Sequence, residues 1–284
     1  MDKNTLIKLL FSTEALKFSP EDQPFWYTSG TFGPYYLNTH YLFGGAERAT
    51  EFLQEIERAR AYPEGMPNRL FRSIDSELHH NPDFAAVIDA LAKTVSDLDF
   101  DLISGGERRD FYFSLPLANR LSVPHITILK DGSTYISNSD LSRCRLLDSA
   151  ELAGQKVLHV ADLLNTASSY LRAWLPALER CGAKISDTAV VISRLQGGEE
   201  ILKKEGVQVH SVLDLDQDFF NEAYQAGQIS EKNRDLVLSF QADPKQYMHN
   251  FLAEHPDFLE RSKAMGEREK ERVQRFLNEF RDLI

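Results

Sequence analysis

Cysteine is scarce in this chain: Cys144 and Cys181 are the only two in 284 residues. Two cannot build a disulfide framework, and no Cys/His spacing suggests a zinc site. Long hydrophobic runs are missing as well. None approaches the roughly 20 apolar residues that a membrane-spanning helix needs. Positive charge is in deficit, with 32 Lys and Arg against 43 Asp and Glu, a formal net charge of −11 and a pI near 5.3. That balance argues against nucleic acid or an anionic membrane as the main partner. There is no internal repeat and no low-complexity segment. Met1-Asp2-Lys3-Asn4 leads into a short amphipathic pattern rather than a signal peptide, so the cytoplasm is the expected compartment. What is there is an ordinary soluble composition, 42% hydrophobic and 26% charged. The length suits one large domain, or one domain plus an appendage.

The stretch that organises the chain runs from Gly154 to Ser169. Val157, Leu158 and Val160 form a short apolar run, the mark of a strand buried on both faces. Small hydroxyl and amide side chains follow at Asn165, Thr166, Ser168 and Ser169. Leu171, Trp174, Leu175 and Leu178 then recur at helical spacing, with Gly182 as the stop. Pro176 sits inside that helix and costs it a hydrogen bond or bends it. A strand passing through a small polar turn into a helix N-terminus makes a phosphate cradle, because free N–H groups and the helix dipole point the same way. The same residues also fit any βα unit capped by Ser or Thr.

Elsewhere the pattern predicts a helix over 4–18, an extended aromatic piece with a Gly/Pro turn over 25–38, and helices over 46–61 and 82–97. A Pro/Gly loop spans 62–68. His79-His80 reads as solvated surface more readily than as a metal ligand. Strands are expected near 101–104, 124–129, 156–160, 188–194 and 207–213, with a helix beginning at Ser114-Leu115-Pro116. Glu107, Arg108 and Arg109 form either a surface ion pair (Glu107 with Arg109) or an arginine face for a phosphate-rich ligand. Residues 216–284 are helical, with an apolar stripe at Phe276, Leu277, Phe280, Leu283 and Ile284. From Asp214 onward there are 15 acids and 10 bases, a net of −5.

The Gly154–Ser169 run resembles the phosphoribosyl-pyrophosphate (PRPP) motif of type I phosphoribosyltransferases, in which two adjacent acids precede a Thr-Thr-Gly phosphate loop. Here the acid pair reads Ala161-Asp162 and the loop glycine reads Ala167. Ser29-Gly30-Thr31-Phe32-Gly33-Pro34-Tyr35 resembles the N-terminal segment of the orotate enzymes of that family. An aromatic pair that lies against orotate there falls at Tyr36 and Leu37, and a substrate-meeting lysine falls at Thr28. Gly105 and Gly106 match the start of the pyrophosphate loop, which is longer here and carries Arg108 and Arg109. Pro116-Leu117-Ala118 matches the stretch that closes it. Arg194 matches the arginine that meets the orotate carboxylate. The mobile, basic, His-bearing catalytic loop of those enzymes falls on 131–153, where Arg143 and Arg145 are the only bases.

The resemblance implies a mostly parallel, twisted α/β sheet with flanking helices, a phosphoribosyltransferase-like domain over 1–215 (hood about 1–45) and a helical extension over 216–284. It implies a 5′-phosphate held by Asn165, Thr166, Ala167, Ser168 and Ser169, with Asp162 on a ribose hydroxyl. Gly105, Gly106, Arg108 and Arg109 lie on the pyrophosphate side. Lys130 and Arg109 join Asp162 as catalytic candidates, and Tyr36, Leu37 and Arg194 face the base. It further implies Mg²⁺ carried with PRPP rather than by protein side chains, a small-molecule partner and a homodimer. The losses at 161, 28 and 131–153 imply weak or absent orotate transfer. The alternative is a non-catalytic nucleotide-binding or regulatory protein on the same scaffold.

Overall fold

The computed structural model describes residues 3–280, so Leu283 and Ile284 of the expected stripe lie outside the described residues. Its strands are β1 (Leu16–Phe18), β2 (Phe25–Trp26), β3 (Phe32–Gly33), β4 (Tyr35–Leu37), β5 (Leu102–Gly106), β6 (His125–Ile128), β7 (Thr134–Ser137), β8 (Cys144–Leu146), β9 (Lys156–Leu164), β10 (Lys184–Ser193) and β11 (Gln208–Asp214). Two units divide the chain. Residues 3–13 and 39–216 make the first, and 14–38 with 217–280 make the second.

The first unit is built on a seven-stranded sheet in the order β11-β10-β9-β5-β6-β7-β8. Its first five strands are parallel, and β7 and β8 extend it as an antiparallel hairpin. The mostly parallel α/β fold expected from the sequence is therefore present. β9 lies between β10 and β5, and Val157 to Ala161 are buried without a break, as a strand covered on both faces must be. Helix Phe111–Leu121 packs on β5 and β9, helix Pro82–Thr94 on β10 and β11, and helix Leu175–Arg180 on β10. One core gathers Leu102, Ile126, Val157, Ala161, Trp174 and Leu178. A cluster of rings lies apart from it, with Phe52–Tyr112 at 4.7 Å and Phe43–Phe84 at 4.9 Å between centroids.

Several sequence expectations need correcting. The first helix ends at Ser12 rather than 18, because Leu16–Phe18 is drawn into antiparallel pairing with β4. The Pro/Gly loop ends at Gly65. Met66 and Pro67 open a helix to His80, since a proline in the first turn forfeits no hydrogen bond. The helix expected from Ser114 starts at Phe111, which leaves a turn of only Glu107–Asp110 after β5. Segment 131–153 holds the hairpin of β7 and β8, whose strands are too short and too evenly exposed to alternate visibly. Asn138 closes its turn, accepting from Arg143 N at 2.9 Å.

Leu171 was expected on the buried stripe and is instead 41% exposed. The reason is a π-helical turn over Tyr170–Trp174, in which Leu175 N bonds to Tyr170 O. That wider turn inserts one residue ahead of Pro176, which has no N–H to offer. The insertion rotates Tyr170, rather than Leu171, onto the face that carries Trp174 and Leu178.

In the second unit β1 pairs with β4 and β2 with β3, opposing Trp26 to Phe32. The hairpin turn is Tyr27–Thr31, closed by Tyr27 N to Thr31 O at 2.8 Å. Tail helices Gln217–Gln225, Glu231–Ala242, Pro244–Glu254, Phe258–Met265 and Glu267–Glu279 pack with these short strands. Trp26 stacks on Phe258 at 5.4 Å and donates from Nε1 to Ser262 Oγ at 2.9 Å. Phe32 meets Phe258 at 5.0 Å and Phe276 at 5.6 Å. Burying a large aromatic side chain contributes roughly 1.5–3 kcal/mol, so these rings hold the unit together.

Candidate functional site

At the carboxyl ends of β5 and β9 two turns meet on one side chain. Asp110 accepts from Gly106 N with Oδ2 at 2.9 Å and from Asp162 N with Oδ1 at 3.1 Å. An Asp just before a helix would ordinarily cap it. Asp110 makes no cap bond and instead ties loop 105–110 to loop 162–169. The tie is tight because β5 ends in two glycines. A Cβ on Gly105 would fall 2.1 Å from Ser114 Oγ, and one on Gly106 would fall 2.0 Å from Trp174 Nε1.

Asp162 follows Ala161 on β9. Its Oδ2 is sealed from solvent and has no hydrogen-bond partner. Burial raises the pKa of both Asp110 and Asp162, and the charge of Asp110 raises Asp162 further, so the pair titrates near neutrality. Arg109 opposes this by favouring the ionised carboxylates. Ala161 is fully buried among Leu164, Tyr170 and Trp174. A carboxylate substituted there would enter an apolar core.

Behind the acids lies a buried polar row. His159 Nδ1 shares a hydrogen bond with Ser104 Oγ at 2.9 Å, and its Nε2 faces Asp110 Oδ2 at 3.6 Å. Trp174 lies over the His159 ring at 4.3 Å. His125 bonds Ser114 Oγ at 2.9 Å and Thr127 Oγ1 at 3.1 Å. Burial pushes His159 and His125 down to about 3, and His40 too, the last aided by Arg109 and Arg108. All three stay neutral near pH 7.

The turn after β9 carries the remaining cradle candidates. Asn165 Oδ1 is buried without a partner. Thr166 and Ser168 share a hydroxyl bond at 3.0 Å and are exposed, as is Ser169. Ala167 adopts φ +54°, the left-handed region that favours glycine. Gly198 approaches this turn so closely that a Cβ on it would stand 2.4 Å from Asn165 O. The turn opens directly into a helical segment, whose first N–H groups face outward.

The basic candidates scatter. Arg108 is paired with Glu57, and Lys130 is exposed while its backbone N donates to Glu107 Oε2 at 2.9 Å. Glu107 does not pair with Arg109: its Oε1 faces Arg60 Nε at 3.2 Å, and its side chain is wholly covered. Arg145 of the 131–153 hairpin is engaged by Glu151 at 2.6 Å. Arg194 follows β10, is 8% exposed, and donates from its backbone N to Leu164 O at 2.9 Å. Tyr36 and Leu37 belong to the second unit. Leu37 is buried there, while Tyr36 is partly open between Phe25 at 5.7 Å and Tyr27 at 6.4 Å. His79 and His80 are exposed, and each Nδ1 sits 2.7 Å from a carbonyl one turn back. Sequence reasoning missed Asp110 and His159. Asp110 stands in a charged turn with no motif to mark it, and His159 sits inside an apolar run.

The family of the phosphoribosyl transferase domain matches residues 75–224, over half of the chain. An adenine phosphoribosyltransferase of Pseudoalteromonas translucida is 31% identical over 157 residues, 52% of this chain and 86% of that protein. One of Escherichia coli is 30% identical over 173 residues, 57% of this chain and 93% of that protein. Among solved structures, Leishmania donovani UMP synthase superposes with a TM-score of 0.58 at 17% identity, covering 84% of this chain and 42% of that one. Orotate phosphoribosyltransferase of Francisella tularensis superposes with a TM-score of 0.54 at 15% identity, covering 84% and 97%. At those identities the two structures speak for the fold.

Proposed function

This chain belongs to the phosphoribosyl transferase domain family, and we propose that it binds a phosphoribosyl ligand, with PRPP as donor and an orotate-type pyrimidine as acceptor, and turns it over slowly. The observation that carries this reading is the sealed, unpartnered Asp162 Oδ2 near the end of β9, ahead of a turn that opens into a helix. A buried acceptor without a donor is costly, and a ribose hydroxyl supplies the missing donor. In this assignment Asn165, Thr166, Ala167, Ser168 and Ser169 hold the 5′-phosphate and Asp162 the ribose. Gly105, Gly106, Arg108 and Arg109 are assigned to the pyrophosphate, with Lys130 beside it, and Arg194 to the acceptor.

Among the described residues no group of three or more His, Cys, Asp or Glu could hold a metal ion. Asp162 nevertheless suits a metal brought by the ligand, through the hydroxyls it orients. Mg²⁺ bound with PRPP would neutralise the departing pyrophosphate. Arg109, whose charge favours the ionised forms of Asp110 and Asp162, is assigned to stabilise the growing pyrophosphate charge.

Slow turnover follows from two features. Segment 131–153 offers no lysine or histidine, and Arg145 of its hairpin is already held by Glu151. Losing one preorganised electrostatic group costs about 10²–10³ in rate. The same features favour the alternative, a phosphoribosyl-binding regulator without turnover. The test is calorimetric binding of ribose 5-phosphate and PRPP with Mg²⁺, beside assays with orotate and with adenine as acceptor. Binding lost in Thr166→Val with orotidine monophosphate formed at far below about 10 per second is expected. Adenine turnover without orotate turnover would replace the acceptor, and no ribose 5-phosphate binding would remove the whole reading.

A further inference from the structure

β5 and β9 run side by side only from Leu102↔Val157 to Ser104↔His159. Past that point the two strands part, and the carboxylate of Asp110 stands in the fork. It accepts from Gly106 N of one strand at 2.9 Å and from Asp162 N of the other at 3.1 Å. Asp110 is itself fixed. It is 3% exposed, and its carbonyl accepts from Phe113 N at 2.9 Å and Ser114 N at 2.8 Å, in the first turn of helix Phe111–Leu121. His159 Nε2 faces the same carboxylate at 3.6 Å and finds no hydrogen-bond partner among the described residues, while Ser104 Oγ engages the other ring nitrogen. Ser104, His159 and Asp110 are the residue types of a nucleophilic triad. Ser104 and His159 are fully covered, however, so no substrate reaches them. What the arrangement serves is the carboxylate.

We propose that Asp110 is a positioning residue that makes loops 105–110 and 162–169 act as one binding unit, so that pyrophosphate on the first raises the affinity of a phosphosugar for the second. The inference rests on the phosphoribosyl reading and adds to it a side chain that acts through the backbone of both loops. A carboxylate has two oxygens, and here each holds one strand end. Breaking either bond leaves a buried, charged oxygen unpaired, so the two loops are held or released together. A ligand that fixes Gly106 thereby fixes Asp110 and the backbone of Asp162, and the second ligand meets a loop already in place. The effect is reciprocal, as coupling between two binding equilibria must be. Asparagine is the same size but has a single acceptor oxygen, so it can hold one strand end and not both.

The experiment is isothermal titration of ribose 5-phosphate into the full chain, with and without saturating pyrophosphate and Mg²⁺. Wild type should bind ribose 5-phosphate about fivefold tighter, or more, when pyrophosphate is present. In Asp110→Asn that gain should vanish, while the affinity for each ligand alone changes by less than the gain that is lost. A role confined to holding the fold would weaken both affinities and leave the gain intact. In nuclear magnetic resonance, pyrophosphate alone should shift the Asp162 amide signal in wild type and leave it unmoved in Asp110→Asn. Equal ribose 5-phosphate affinity with and without pyrophosphate in the wild type overturns the proposal, a result that needs no variant to fold. A gain retained in Asp110→Asn overturns it too. So does tighter pyrophosphate binding in that variant, which would make the carboxylate a plug on the Gly106 amide. No ribose 5-phosphate binding in the wild type strikes the phosphoribosyl reading and takes this proposal with it, an outcome distinct from binding without coupling.

Discussion

Asp110 and Asp162 are ionised in an unfolded chain above about pH 4, whereas in the folded protein burial holds each protonated up to about 7. A raised folded pKa means that the native state binds more protons across that window, so its contribution to stability is full below about pH 4 and is lost as pH rises to about 7. Asp162→Asn removes one titrating group. Urea unfolding at pH 5 and pH 7.5 should show the variant gaining on wild type at the higher pH, and parallel behaviour would sink the assignment. This acid pair also shows where sequence reasoning stops. Asp162 was legible because it stands at the acid position of the PRPP-like motif. Asp110 was not, because its partner backbone lies on another strand. The apparent loss of an acid at Ala161 was legible, but its meaning was not. Only the packing of Leu164, Tyr170 and Trp174 around it shows an apolar position.

At the scale of elements, the parallel strands were the plainest feature, since runs such as Val157–Ala161 are apolar but for His159. Pairing decided what periodicity could not. Leu16–Phe18 looked like the end of a helix until β4 claimed it, and the hairpin of β7 and β8 has too few residues to show a period. The π turn before Pro176 moved a stripe by one residue, a shift that no window average detects. The last tail helix gives the firmest expectation. Phe276 is fully buried against Trp26 and Phe32. Phe276→Ala should therefore cost about 3–5 kcal/mol. Hydrogen exchange should show protection falling in β2, β3 and helix Phe258–Met265. Protection lost only within Glu267–Glu279 would mean that the ring is not a keystone of the unit.

For the whole molecule, no helix among the described residues is long and apolar enough to cross a membrane. A homodimer remains our proposal, though one ground for it has gone: Phe276, the first member of the stripe, is covered within its own chain. Sedimentation at micromolar concentration should show a species of twice the 32.4 kDa chain mass, and a monomer alone would end that proposal. The second unit joins residues 14–38 to residues 217–280 across some 180 intervening positions. During synthesis at roughly 5–20 residues per second, Trp26 and Phe32 leave the ribosome long before Phe258 and Phe276 exist to cover them. The nascent chain thus carries bare aromatic surface while the sheet of the first unit is being made. A chain released before residue 258 would keep that surface, which makes premature termination, more than point substitution, the route by which this protein would become a chaperone client or an aggregate.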